Sequence, residues 1–543
     1  MDDKKQSIGQ GFIILAFSGI LVKVLSLVFV PLIRGLLGGD VGYSVYSSAY
    51  SVYAFVYVIA TAGFPVAISK LISELSGTQH TREALESFKL AKKLLIIIGF
   101  VLMAIVMIFC KPIARYMNNE DSWAGILCLA PTVFICSILS AYRGYFQGRK
   151  NMRPTALSQF IEQVVHVAIS AALVIALKDK GIVWAVAGAT IGTAIGSLAS
   201  LGICLWYYKY DKIYFRRCIE AEEKTREISD FVSKKTLIKR IFYYSMPILV
   251  SSAVQYGGDL IDSKTIKGGL AAAGFTEQGA KILHGQYMAM RQLINVPGSL
   301  ATALCVAVLP AITAALAAKK YNTVNKNTQF SFKLCYLVAV PISFAYAVYS
   351  GPIYKLLGYG TNIILLTLSS LSVILLCTIH LQSSIMQAHN MMFTSSIFMC
   401  ICVVIKVILN YVLVRIPGLN IYGAIISTYC SYIIPFCLNL YVMKKRTSLR
   451  FSILSAISPT ILASTVAMLI SYVVYGVLRL VLRTFIAGYL GYLIAFAPAA
   501  LVAVVVYYLT LRLSGGLTVD EMEKISPKLP KIAAKADRLF KIQ

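Results

Sequence analysis

Residues 142–165 read YRGYFQGRKNMRPTALSQFIEQVV. One apolar segment ends at their left and another begins at Pro154. Between the two lie Arg143, Arg149, Lys150 and Arg153, the kind of basic turn that stays on the cytoplasmic face of a membrane. Pro154 suits the first turn of the following helix, where its missing N–H is no loss. About 240 residues on, over 381–396, the pattern returns as LQSSIMQAHNMMFTSS. Phe146-Gln147-Gly148 matches Met386-Gln387-Ala388, and Asn151-Met152 with Thr155 matches Asn390-Met391 with Thr394. Two further echoes keep nearly the same offset. Pro65-Val66-Ala67-Ile68-Ser69 resembles Pro310-Ala311-Ile312-Thr313, and Gly188-Ala189 resembles Gly423-Ala424. Gly, Ala and Pro recur by chance, so one echo says little. Three in order at nearly one offset indicate a duplicated set of membrane spans, the plan on which many transporters are built.

Composition agrees. Of 543 residues, 58% are hydrophobic and 14% charged, and the mean hydropathy is +0.75. A soluble domain carries about a quarter charged residues. The fold class is an all-α polytopic membrane protein. At roughly 20 apolar residues per span, apolar runs predict about fourteen transmembrane helices: two pseudo-symmetric six-helix lobes plus two C-terminal helices. The expected layout is 1–208 for the N-terminal lobe, 209–240 for a basic cytoplasmic loop and 241–443 for the C-terminal lobe. The last two helices follow in 444–512, and 513–543 is a basic cytoplasmic tail. The start, MDDKKQSIGQGFIILAF, has no small-residue cleavage site and reads as a cytoplasmic tail and first span.

The net charge of +28 sits in short loops, with ten cations in 209–240 alone. The positive-inside rule accounts for it without nucleic acid, and it places both termini in the cytoplasm of a plasma-membrane protein. The basic tail suits an anionic lipid surface or plain solvent equally. Twelve cysteines are scattered singly, with no metal spacing and no disulfide framework. The matched prolines, Pro65 and Pro310, are expected to mark a bend in both halves.

Three segments together resemble a known family: GFPVAISK over 63–70, RGYFQGRKNMRPTALSQFIEQVV over 143–165, and the P-G-S-L…L-P segment from Pro297 to Pro310. They are similar to the stage V sporulation protein B and MurJ-type branch of the multidrug/oligosaccharidyl-lipid/polysaccharide (MOP) exporters. The resemblance implies two six-helix lobes around a central cavity. It also implies a lipid-linked saccharide diphosphate as substrate, lipid II in MurJ-type members, for wall or spore-cortex peptidoglycan. Membrane lipid and cell-wall synthesis proteins are the implied partners.

The functional argument rests on ionisable residues inside apolar spans, each of which needs a partner or a wet cavity. The first lobe has Lys23 in span 1, Arg34 at its outer end, Lys70 near the end of span 2, and Glu162 with His166 in span 5. The second has Asp259, Asp262 and Lys264 in span 7, Arg291 in span 8, and Lys406 with Asn410 in span 11. Lys23 reads as a cavity cation for a diphosphate; the plainer reading pairs it with an acid such as Glu162. Arg34 suits snorkelling or gating equally, and Lys70 suits snorkelling. Arg291 lies in the amphipathic run QYMAMRQLINVPGS, a candidate cavity wall. The resemblance adds cavity cations on spans 1, 2 and 8, where Lys23 and Arg291 fall at matching places. A second family arginine in span 1 is replaced here by Val28-Phe29. Lys23, Arg34, Lys70 and Arg291 are therefore the expected substrate-binding residues.

Asp259 and Asp262 share a helix face. They read either as a Na⁺ or H⁺ coupling site or as structural ion pairs. The resemblance places a cation site between spans 7 and 11, with acids where this chain has Lys406. Asp259, Asp262, Asn410 and Glu162 are the candidate coupling residues, though for Glu162 and His166 a satisfied buried hydrogen bond is the commoner arrangement. Tyr43, Tyr46, Tyr50, Tyr53 and Tyr57 recur at three and four, as a packed or interfacial face or a stacking surface for sugars.

A bare sugar diphosphate cannot cross hydrocarbon. A cationic cavity of alternating access lowers that barrier while the lipid tail stays in the bilayer. With the interior negative, moving two negative charges out gains roughly 4–5 kcal/mol at about 100 mV. The rival on the same fold is a Na⁺- or H⁺-coupled multidrug exporter, which calls for an acidic, aromatic cavity. A membrane enzyme needs carboxylates or a metal in an interfacial loop. The loops here are short or basic and the five histidines dispersed, so no enzyme and no cofactor beyond a coupling ion or the membrane potential is expected.

Overall fold

Backbone amides in hydrocarbon have no partners but one another, so each apolar run closes its own hydrogen bonds as a helix. The computed structural model describes residues 8–77, 80–149, 151–223, 232–447, 451–485, 489–518, 521 and 522. Among them the regular structure is helical throughout. The first part of the chain forms α1 (Ile8–Leu36), α2 (Asp40–Thr61), α3 (Phe64–Gly77), α4 (Thr81–Ile108), α5 (Cys110–Tyr116), α6 (Trp123–Gly148), α7 (Arg153–Leu177) and α8 (Ile182–Glu223). Next come α9 (Lys234–Ala272), α10 (Glu277–Ala317), α11 (Tyr321–Val348), α12 (Ser350–Leu357), α13 (Ile364–Ser369) and α14 (Ser372–Ala388). The chain ends with α15 (Met392–Leu413), α16 (Asn420–Arg446), α17 (Ile453–Phe485) and α18 (Tyr489–Leu513). Eleven helical stretches among the described residues are long and apolar enough to cross a membrane. Helices α1, α9 and α10 lie over the other three expected spans.

The segments that carried the resemblance pack on one another. Span 2 is interrupted at Gly63, whose φ is +78°. A Cβ there would also lie 2.4 Å from the Ser245 carbonyl oxygen, so the position suits glycine alone. Pro65 then sits in the first turn of α3. The α6 helix crosses α3 through Gly144 and Gly148, where a Cβ would come within 2.9 Å of Pro65 and 2.8 Å of Ser69. Such small-residue seams let helix backbones approach in a membrane protein, where dispersion between close surfaces replaces hydrophobic driving force. Phe64, Ile68, Leu71, Phe88, Tyr145 and Phe146 fill the core around this crossing. The second half does not repeat the interruption: α10 runs through Pro310 as one helix, so the bend expected of both prolines appears as a helix break only at the first.

The two turns of the echoed motif close alike, with a bond that also ends several other helices of the chain. After α6 the Asn151 N–H donates to the Phe146 carbonyl at 3.0 Å, and after α14 the Met391 N–H donates to the Met386 carbonyl at 2.9 Å. Both are the six-to-one bond that closes a helix C-terminus, and both fall in the motif first read as repeated.

The stretch 209–240 is helical at both ends, since α8 continues to Glu223 and α9 begins at Lys234. Its centre, 224–231, lies outside the described residues, as do Lys4, Lys5 and tail residues 523–543. The chain forms two compact units. One comprises Met1–Ala289 with Met399–Ala424, and the other Met290–Phe398 with Ile425–Gln543. Within the second, Val348 of α11 and the adjoining Tyr349 pack with Met468 and Tyr475 of α17 and Ala495 of α18, and Lys333 of α11 holds both Glu521 carboxylate oxygens at 2.7 Å.

Candidate functional site

Most of the candidate residues lie in the first unit. Lys23 is in the middle of α1. On one side of it Ser18 Oγ donates to the Ala156 carbonyl at 2.8 Å, and on the other Phe29 lies 4.5 Å from the His166 ring. These contacts pin α1 to α7, while the Lys23 side chain itself is exposed. No acid pairs with it among the described residues. Val28, in the place of the family's second arginine, is exposed, and Phe29 is buried.

Glu162 is bound to neither Lys23 nor His166. Its Oε2 accepts from Arg143 Nη2 at 2.6 Å and its Oε1 from Ser197 Oγ at 3.0 Å. Arg143 also donates to Ser158 and Ser200 Oγ, at 3.1 and 3.0 Å. One guanidinium thus ties α6, α7 and α8. His166 Nε2 is buried with no hydrogen-bond partner. The sequence reading placed Arg143 in a cytoplasmic turn; α6 continues five residues past it, which draws it into the helix packing. Arg149 behaves similarly, lying 3.2 Å from Asp211 Oδ1.

Arg34 is buried against Asp40 at 2.6 Å, and the second Asp40 oxygen accepts from Gln286 at 3.0 Å. This set fastens the corner between α1 and α2 to α10. Lys70 is exposed, 3.8 Å from Glu74 and 4.0 Å above the Tyr244 ring. Arg291 is half-buried on α10 and belongs to the second unit.

The face shared by α9 and α15 holds a buried cluster. Asp262 Oδ1 accepts from Asn410 Nδ2 at 2.7 Å, and Oδ2 is bound by the Lys406 ammonium. Asp262 and Asn410 are 0% exposed and Lys406 6%. Asp259, one turn earlier on α9, is half-buried. Lys264 does not meet the acids; its ammonium is 3.3 Å from the Tyr116 ring centroid. The five tyrosines of α2 form a continuous ring ladder with successive centroids 5.4–6.0 Å apart. Tyr43, Tyr46 and Tyr53 are buried in it, and Tyr50 is 39% exposed.

Sequence reasoning missed a second polar group. Lys267 Nζ donates to Ser48 Oγ at 2.8 Å, and Asn119 Nδ2 donates to the same oxygen at 3.1 Å. His284 bridges Ser44 and Ser263 at 2.8 and 3.0 Å. Lys281 pairs with Asp121 and Glu277, each at 2.9 Å. An apolar run stops being counted at its first charges, which hides the polar stretch around Lys267 and Lys281. The signal available was that helical spacing persists through Lys267 on one side and His284 on the other.

Charge balance gives this unit its character. Asp40, Glu162 and Asp262 each have a basic partner of their own, whereas exposed Lys23 has none among the described residues and buried Lys267 rests on a hydroxyl. No three His, Cys, Asp or Glu residues gather as a metal site among the described residues.

A model of the family described as "Polysaccharide biosynthesis protein" matches residues 8–316. Lipid II flippase MurJ of Bacillus subtilis is 24% identical over 518 residues, which cover 91% of this chain and 92% of that one. The uncharacterized membrane protein YabM of the same organism is 28% identical over 455 residues, 82% of each chain. Stage V sporulation protein B is 28% identical over 357 residues, 63% of this chain and 66% of its own. Among solved structures, lipid II flippase MurJ in an inward closed conformation superposes with a TM-score of 0.64 at 16% identity, covering 92% of this chain and 99% of that one. An inward-facing MATE multidrug transporter of the MOP superfamily gives 0.62 at 14%, covering 80% and 99%. The fold is the one these transporters share.

Proposed function

Because the chain belongs to the polysaccharide biosynthesis protein family, we propose that it moves a lipid-linked saccharide diphosphate, lipid II in the first instance, from the inner to the outer leaflet by alternating access. The chain is a multi-pass membrane transporter of the MOP superfamily and not an enzyme. The observation that carries the finer reading is Lys23, an exposed ammonium at mid-helix with no acid beside it among the described residues. Placing it in hydrocarbon costs about 2.5–3.5 kcal/mol on insertion scales. An aqueous cavity removes that cost and an anionic headgroup turns it into affinity. Lys23 is a point charge without a guanidinium fork, so it supplies attraction rather than bidentate geometry.

Arg291, half-buried on α10, stays a candidate on the sequence reading. Arg34 does not, since its guanidinium is spent on Asp40. The exposed Tyr50 ring at the middle of the tyrosine ladder offers a stacking surface for a sugar. The basic turns put both termini in the cytoplasm, so the membrane potential favours outward movement of the anion. The multidrug rival needs open acids in the cavity, and three of the acids in the first unit are already neutralised.

The test is complementation of a bacterium depleted of its lipid II flippase. Wild type is expected to restore growth, Lys23→Ala and Arg291→Ala to fail at equal expression, and Lys23→Arg to retain function. Rescue by both alanine variants removes the site. No rescue by wild type removes lipid II as the cargo.

A further inference from the structure

The resemblance implies a cation site between spans 7 and 11, the place where α9 meets α15, and the side chains there do not fit one. Hard metal cations are held by oxygens. The Asp262 carboxylate instead holds N–H donors, the Lys406 ammonium and the Asn410 amide among them. A metal ion beside Asp262 would face a fixed positive charge from Lys406 in a buried setting, where such repulsion is poorly screened.

The helix face is built around the pair. Gly258 and Gly269 flank Asp262 along α9, and a Cβ on them would meet Val403 at 3.1 Å and Val414 at 2.9 Å. On α15 Val403, Lys406 and Asn410 lie at helical spacing on one side, and Val414 follows one residue past the helix end. The glycines bring the two helices close, and the ion pair sits in the middle of the seam. A buried carboxylate in this position must be neutralised by a proton, a bound cation or a side chain. We propose that Lys406 is a tethered counter-ion: it supplies, as part of the chain, the positive charge that a bound Na⁺ or a proton would otherwise supply to Asp262. The α9–α15 seam then closes without Na⁺, and this transporter is not Na⁺-coupled at Asp262. The inference concerns ion dependence and stands whether or not lipid II is the cargo.

The experiment is thermal unfolding of the full-length protein in detergent at matched ionic strength in NaCl, KCl and choline chloride. Wild type is expected to give one Tm, within about 1 °C, in all three salts. Lys406→Asn removes the ammonium, opens space and adds a side-chain oxygen. It is expected to lower the Tm by about 5 °C or more, with part of the loss regained in NaCl. Lys406→Arg keeps the charge and is expected to stay indifferent to Na⁺. Should Lys406→Asn not fold, wild type and Lys406→Arg still decide. A wild-type Tm that rises in NaCl alone, with the rise abolished by Asp262→Asn, overturns the proposal. So does a Lys406→Asn protein as stable as wild type in every salt.

Discussion

Removing Arg143 tests the account of the first unit at its most connected charge. Its guanidinium donates to Glu162, Ser158 and Ser200 at 2.6, 3.1 and 3.0 Å. The side chains of the pair are 13% and 23% exposed. Breaking a buried pair by deleting one partner costs about 3–5 kcal/mol. The residual exposure of Glu162 and its remaining Ser197 bond lower this, so Arg143→Met is expected to cost about 2–4 kcal/mol. Glu162→Gln keeps the shape and the Ser197 contact but leaves the guanidinium unpaired, at about 1–3 kcal/mol. The double variant buries neither charge alone. It should therefore lose less than the sum of the singles, by about 1–2 kcal/mol. The assay is reversible unfolding of the purified protein in mixed micelles of rising SDS content, with two probes to check that the transition is single. Additive losses, or an Arg143→Met protein within about 0.5 kcal/mol of wild type, would refute the claim that this pair ties α6, α7 and α8.

Two further outcomes follow from the packing and from the tail. Gly144→Val puts a branched side chain where even a Cβ lies 2.9 Å from Pro65 backbone, and should cost about 1–3 kcal/mol; Gly202→Ala, with nothing within 4 Å, is the neutral control in the same unfolding assay. Burial raises the Glu521 carboxyl, but Lys333 and the Thr518 N–H outweigh it and hold it below its ordinary value of 4.5. A depressed carboxylate stabilises fully above that ordinary value and loses its contribution as pH falls through the lower folded one. The Tm of wild type should thus drop more than that of Glu521→Gln between about pH 5 and pH 3.

Much of the fold was legible because hydrocarbon enforces it. Apolar runs must be helices. The echoed motifs read as a duplication, but the two compact units divide the chain elsewhere, at Ala289, Phe398 and Ala424. Lys23 stood out for the same reason, as a charge where charge is costly. What could not be read was the pairing of charges on helices distant in sequence. Asp262 and Lys406 are 144 residues apart, and nothing in the periodicity of either helix names the other. Arg143 was misplaced for a different reason: a cation close to a helix end looks like loop until a buried acid is found to claim it. The break at Gly63 was attributed to Pro65, while the constraint lies one step earlier, in a positive φ against the Ser245 carbonyl.

The most direct measurement is leaflet transfer of fluorescent lipid II in proteoliposomes holding the purified protein, with and without a potential negative on the side of origin. The account predicts transfer by wild type, faster under that potential, and loss of at least about tenfold in Lys23→Ala, the equivalent of roughly 1.4 kcal/mol. Equal transfer by Lys23→Ala and wild type would contradict it.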